Sequence, residues 1–273
     1  MRTVLLYARS PEWGAAILRA DELLRSATFR AVKSEGRTLA GFVDIPGVGS
    51  AFIKRVETAG WINGFFLRLR RSRAARSIAG AAMLRARGIA HPEPLAALDC
   101  YQRGAICASY LLSTPLLDAD SLSRFALGPG GVKARDVRRR KRISDAVAAD
   151  VRRLHQSGLY TRDLQETNLM VADDGGGGFK IHFIDLEDFR SAGTVSRQRR
   201  LMNLVHLDRS IGRFLCRAAR LDFLYAYLGR RPGRSEARRI VAEVLAMRAR
   251  VDRRKQRHLA SSKPIASSEM TNF

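Results

Sequence analysis

Three polar side chains, Asp163, Asn168 and Asp185, punctuate the stretch 158–189 in a way that suits a divalent cation and a proton acceptor. The apolar run 169–172 and the alternating run 179–184 predict two short strands, and Asp-Asp-Gly-Gly-Gly-Gly at 173–178 supplies the flexible residues of a hairpin connection. A hairpin brings its ends together. Asn168 precedes the first strand and Asp185 follows the second, so an amide oxygen and a carboxylate converge. Magnesium takes one or two protein oxygens and fills its other positions with phosphate and water, and this pair is that kind of incomplete cage. Asp163, five residues before Asn168, stands where a carboxylate can accept the proton of an attacking hydroxyl. The bland alternative is that Asp163 and Asn168 only cap turns.

A second hairpin lies upstream, with strands over 39–45 and 51–56 around the turn 46–50. Lys54 sits on its return strand among Ala51, Phe52, Ile53 and Val56. A lysine there wants an anionic partner, which nucleotide phosphates would provide; alternatively its ammonium snorkels to water. Gly47 and Gly49 fall in the wrong turn for a phosphate loop. The segment 33–38, with Gly36 between the strand around Phe29 and the strand 39–45, is the better candidate.

Around these residues the pattern predicts a helix near 12–24, strands to about 56, a helix over 72–87, strands over 95–112 and mainly helices thereafter. Ile143, Val147, Val151 and Leu154 recur at helical spacing, so an amphipathic helix over 138–157 delivers the Asp163 loop. His155, just ahead of that loop, reads as a packing or hydrogen-bonding residue.

In order along the chain, FIKRV at 52–56, RARGIAHPEPLA at 85–96, ASYLLSTPLLDADSL at 108–122, LHQSGLYTRDLQETNLMV at 154–171, FIDLEDF at 183–189 and RQRRLMNLVHLDRS at 197–210 resemble the lipopolysaccharide kinase family of the protein-kinase-like superfamily, which phosphorylates Kdo or heptose of the inner core. The resemblance runs from about 29 to about 229. It implies an α+β two-lobed fold: one kinase-like domain over 1–259, with a small strand-rich lobe at about 26–112 and a larger helical lobe at about 116–258, while the Ser- and Lys-Pro-rich composition of 260–273 predicts a disordered tail. It also implies ATP and Mg2+, with Asp163 as base, Arg162 beside it neutralising charge or bracing the loop, Asn168 and Asp185 as metal ligands, and Lys54 on the phosphates. Leu112, Ser113 and Thr114 would belong to the hinge whose backbone receives adenine.

Three departures stand out. Thr161 occupies the position where related kinases place a histidine before Arg162, and Leu186 and Glu187 replace the Phe and Gly that follow the metal-binding Asp. No acidic residue occurs between Glu57 and Glu93, the interval whose helix would give Lys54 its glutamate partner. Either Glu57 or a residue from elsewhere in the site substitutes, or the chain has kept binding and lost turnover, as a nucleotide-binding scaffold would.

At 273 residues with 46% apolar composition the chain can bury a full core. Cys100, Cys107 and Cys216 form no CxxC pair or even framework, which points to a reducing compartment, and the histidines show no zinc-ligand spacing. The apolar run 4–7 is too short for a signal peptide or a span, so the expected location is cytoplasmic or peripheral, and the family resemblance implies the cytoplasmic face of the inner membrane. A net charge of +23 demands anionic company. The inner-core glycolipid and an anionic membrane surface fit. Nucleic acid is the remaining rival, as a non-specific partner only, because no recognition helix, finger or RNP-like pattern is present. Two segments could dock on a membrane, the aromatic and basic 61–71 and the helix over 235–258 with its stripe Ile240, Val241, Val244, Leu245 and Val251; both also read as core packing with a solvated charged face.

Overall fold

The computed structural model describes residues 1–58, 71–127 and 136–261. It opens with strand β1 (Arg2–Ala8), helix α1 (Pro11–Leu18) and the single turn α2 (Ala20–Leu23). The meander β2 (Arg30–Glu35), β3 (Thr38–Ile45) and β4 (Gly49–Glu57) follows, then α3 (Arg73–Arg85), β5 (Pro94–Gln102) and β6 (Ala105–Ser113). These six strands form one antiparallel sheet in the order β1-β5-β6-β4-β3-β2. The run 4–7 is thus part of an edge strand, with Val4 opposite Asp99 and Leu5 opposite Leu98, and the sheet draws on residues ahead of position 26. The helix expected over 12–24 is broken at Arg19, whose N–H turns to the Ala16 carbonyl at 3.1 Å and tightens the last turn of α1. Both pieces bury apolar residues, Ala16, Ile17, Ala20 and Leu23, in a core shared with Val43, Ile53 and Leu98.

The remainder is mainly helical: β7 (Ala119–Ser121), α4 (Leu122–Leu127), α5 (Val137–Gln156), β8 (Leu159–Thr161), β9 (Leu169–Asp173), β10 (Phe179–Phe183), β11 (Phe189–Ser191), α6 (Arg197–Ser210), α7 (Arg217–Leu228) and α8 (Arg234–Ser261). Single 3-10 turns, Glu166–Asn168 and Leu186–Asp188, interrupt this series beside the predicted site. α5 is capped by Asp136, whose side chain accepts from the Arg139 N–H at 2.8 Å. Its stripe Ile143, Val147, Val151 and Leu154 is buried as the spacing predicts, each side chain contributing about 1.5–3 kcal/mol. This second core also takes Leu84, Leu169, Phe183 and Leu204, so α3 belongs to it even though α3 lies between strands of the sheet in sequence.

On α8, Ile240 is buried and Val241 packs against the same core, while Leu245 is exposed, so core packing accounts for only part of the stripe. Segment 61–70 and the tail from 262 lie outside the described residues. Among the described residues, no helix is long and apolar enough to cross a membrane.

Candidate active site

The β9–β10 hairpin forms as expected, in register from Leu169 opposite Phe183 to Asp173 opposite Phe179. Its turn closes on Asp174, whose Oδ1 accepts from the N–H groups of Gly176 and Gly178 at 2.9 and 2.8 Å. Gly175 and Gly177 take φ values of 77° and 83°, which a residue with a Cβ adopts only at a cost. At the other end the Ile184 N–H donates to the Asn168 carbonyl at 3.1 Å, so Asn168 and Asp185 are held side by side. Asn168 Nδ2 donates to the Asp163 carbonyl at 3.1 Å and reaches its Oδ2 at 3.4 Å. The Asn168 amide oxygen and the Asp185 carboxylate could then hold a cation, and an all-oxygen donor pair suits magnesium.

Lys54 comes from the centre of the sheet, opposite Ala40 on β3 and Leu111 on β6. Its Nζ lies 3.3 Å from Asp185 Oδ1. The lysine is therefore anchored from elsewhere in the site and not by Glu57, which pairs with Arg55 on its own strand. The helix that lacks an acid carries the opposite charge. Arg73 and Arg76 on α3 donate to the two oxygens of Glu187 at 2.9 and 3.0 Å, and the Glu187 side chain is only 6% exposed. Gly80 on the same helix lets the backbones touch: a Cβ there would lie 2.0 Å from the Leu186 carbonyl oxygen. The Leu186–Glu187 departure thus has a structural role, clamping the Asp185 turn to α3.

Arg162 donates through Nε and Nη2 to Asp188 Oδ1 at 3.2 and 2.8 Å, and its N–H reaches the Asp188 carbonyl at 3.2 Å. With Phe189 opposite Thr161 in the β8–β11 pair, these bonds tie the Asp163 loop to the Asp185 segment. Arg162 is a brace. Thr161 accepts the Asp163 N–H on its Oγ1 at 3.2 Å. Beneath it, Asn203 on α6 donates to the Thr161 carbonyl at 2.6 Å and its Oδ1 faces His155 Nε2 at 3.0 Å, while Tyr227 OH sits 2.8 Å from His155 Nδ1. Burial pushes the His155 pKa down to about 4, so the ring is neutral, donating from Nε2 and accepting on Nδ1. An imidazole supports the loop after all, from six residues upstream and through one amide.

Gly36 closes the β2–β3 turn in left-handed conformation, φ 57°, just past the Glu35–Thr38 rung, which lies two rungs along the sheet from the Lys54 level. Leu112 and Ser113 are the last rungs of β6, and Thr114 donates its N–H to the Glu93 carbonyl at 2.8 Å. Four partners escaped sequence reading: Gln165, which hydrogen-bonds Asp163 Oδ1, and Arg73, Arg76 and Asn203. Gln165 had a signal in being polar inside the Asp163–Asn168 loop. The arginines had none among so many.

A small antiparallel sheet over a helical part, a lysine from the sheet reaching an Asp beside an Asn, and a second Asp on the preceding loop define the protein-kinase-like class. The solved structure "WaaP in complex with acyl carrier protein" is similar in fold, with TM-score 0.63 and 21% identity over 94% of this chain and 99% of that one. The model of the lipopolysaccharide kinase (Kdo/WaaP) family matches residues 48–227, and the chain belongs to that family. No curated protein matches it in sequence.

Proposed function

We propose that the protein transfers the γ-phosphoryl group of ATP to a sugar hydroxyl, on Kdo or heptose, of the lipopolysaccharide inner core. Family membership makes it a kinase of lipopolysaccharide core chemistry. The observation that carries the finer reading is the convergence of Lys54 on Asp185 at 3.3 Å with Asn168 bonded to Asp163. Asp163 is placed to orient the acceptor hydroxyl and take its proton as the oxygen attacks phosphorus. Lys54 neutralises phosphate charge and Asp185 holds Lys54 in place. Asn168 and Asp185 would hold Mg2+, which when bound supplies charge neutralisation at the phosphates. Gly36 would cover the phosphates from its turn, and the chain around Leu112, Ser113 and Thr114 would receive adenine, with the Thr114 N–H already used. Proposed partners are the glycolipid, the anionic inner-membrane surface that a charge of +23 favours and, by likeness to the solved WaaP complex, an acyl carrier protein.

The Lys54–Asp185 pair favours the catalytic reading over a binding-only scaffold, since it supplies the acidic partner that α3 lacks. The decisive measurement is mass spectrometry of the lipid A–core from cells with and without the gene. Loss of one phosphate on deletion, restored by the wild type and not by Asp163→Asn, is expected; an unchanged glycolipid would overturn the reading.

A further inference from the structure

Beside the Asp163 loop, the end of β8 and one face each of α6 and α8 line an open cavity of about 960 Å3. Its walls carry Tyr160, Arg162, Arg199, His206, Arg254 and Arg257. Arg162 is neutralised by Asp188, whereas Arg199, Arg254 and Arg257 make no ion pair among the described residues. Elsewhere on the same two helices arginines are paired: Arg197 with Glu243 at 2.6 Å, Arg209 with Asp252 at 2.7 Å and Arg248 with Asp208 at 2.7 Å. All three bridges run between α6 and α8, so they fix the walls without entering the cavity's charge balance. Three like charges left around one concavity repel one another, and an anion placed between them relieves the repulsion.

We propose that this cavity is an acceptor subsite that binds an anionic substituent, phosphate or carboxylate, of a saccharide whose hydroxyl is presented to Asp163. The inference rests on Asp163 being the base. Closeness to that base is given by Arg162, its neighbour in sequence, and by His206, whose ring lies within the field of the Asp163 charge. Guanidinium groups match the oxygens of phosphate and carboxylate in paired hydrogen bonds. Arg199 stacks at 4.4 Å over Tyr160, which orients its plane. A volume of about 960 Å3 beside the Asp163 loop suits a sugar-sized ligand.

The test is calorimetric titration of the full chain with a deacylated, phosphorylated core oligosaccharide, and with the same oligosaccharide after hydrofluoric acid has stripped its phosphate esters. The Arg254→Ala/Arg257→Ala double variant should weaken binding of the phosphorylated probe at least about tenfold, as expected for lost charge-assisted hydrogen bonds. The corresponding double lysine variant should lose less. Affinity for a fluorescent ATP analogue should stay unchanged, which separates this subsite from the nucleotide site. Preference of the wild type for the phosphorylated form identifies phosphate as the bound group, and equal binding of both forms identifies carboxylate. Wild-type affinity in the double alanine variant would overturn the proposal. So would a loss confined to phosphatidylglycerol vesicles, which would make the surface a membrane contact. Retained oligosaccharide binding without phosphoryl transfer would count against the kinase reading and leave the subsite standing.

Discussion

Arginines meet opposite fates on the two sides of the Asp163–Asp185 pair. On the α3 side Arg73 and Arg76 are spent on one buried carboxylate, Glu187, and hold the Asp185 turn against the helix. On the α6–α8 side Arg199, Arg254 and Arg257 surround a cavity with no acid to meet them among the described residues. The same residue type is a brace in one place and, on our reading, a receptor in the other. What separates them is whether the fold supplies the anion or leaves that to a ligand. Composition cannot make this distinction, since a net charge of +23 counts both kinds alike.

The comparison can be broken at several points. Asp163→Asn, between the two sides, should lower kcat by about 10³-fold with the melting temperature unchanged. A variant as active as the wild type would remove the base from the mechanism. Glu187→Ala should cost about 3 kcal/mol in urea unfolding, because it leaves two arginines without their shared carboxylate. It should also weaken nucleotide binding, through displacement of Asp185; a destabilised variant with normal nucleotide affinity would show that the α3 clamp is structural alone.

Beneath both sides lies His155, with a folded-state pKa of about 4 against 6.5 for an ordinary histidine. Above pH 6.5 neither state binds the proton, and the full stability is present. As pH falls from 6.5 toward 4 the unfolded chain takes up a proton that the folded one refuses, so stability drops, by up to about 1.4 kcal/mol per pH unit. Comparing wild type with His155→Gln across that window isolates the contribution; equal slopes would mean that His155 takes up its proton as readily in the fold as in the unfolded chain. The smallest effect belongs to the cavity. Arg199→Ala should change stability by no more than about 0.5–1 kcal/mol, as for an exposed arginine whose contact is the stacking on Tyr160. A cost like that of Glu187→Ala would erase the contrast between the two sides.

Much of the site was legible because its logic is local. The Asp174 turn and its glycines dictate a hairpin, and a hairpin places Asn168 beside Asp185 whatever surrounds it. The α5 stripe was equally plain, since helical spacing declares a buried face. The break at Arg19 left no composition signal, and β1 was invisible because an apolar run of this length becomes a strand only when an edge such as β5 is there to pair with it. The missing acid near Lys54 was legible as an absence, and a substitute from elsewhere in the site was one of two expectations; which residue supplies it was not legible, because Asp185 is 131 positions away.

The sequence alone picked out the candidate trio of Asp163, Asn168 and Asp185, the lysine on its strand, and the family. These depend on residue type, order and short-range geometry. The tertiary structure alone decided that Asp185 anchors Lys54, that Glu187 answers the arginines of α3, that His155 supports Thr161 through Asn203, and which arginines stay unpaired. Each of those is a pairing between distant segments, and charge or hydrogen-bond partners at long range are chosen by how helices and sheet pack, not by what lies next in the chain.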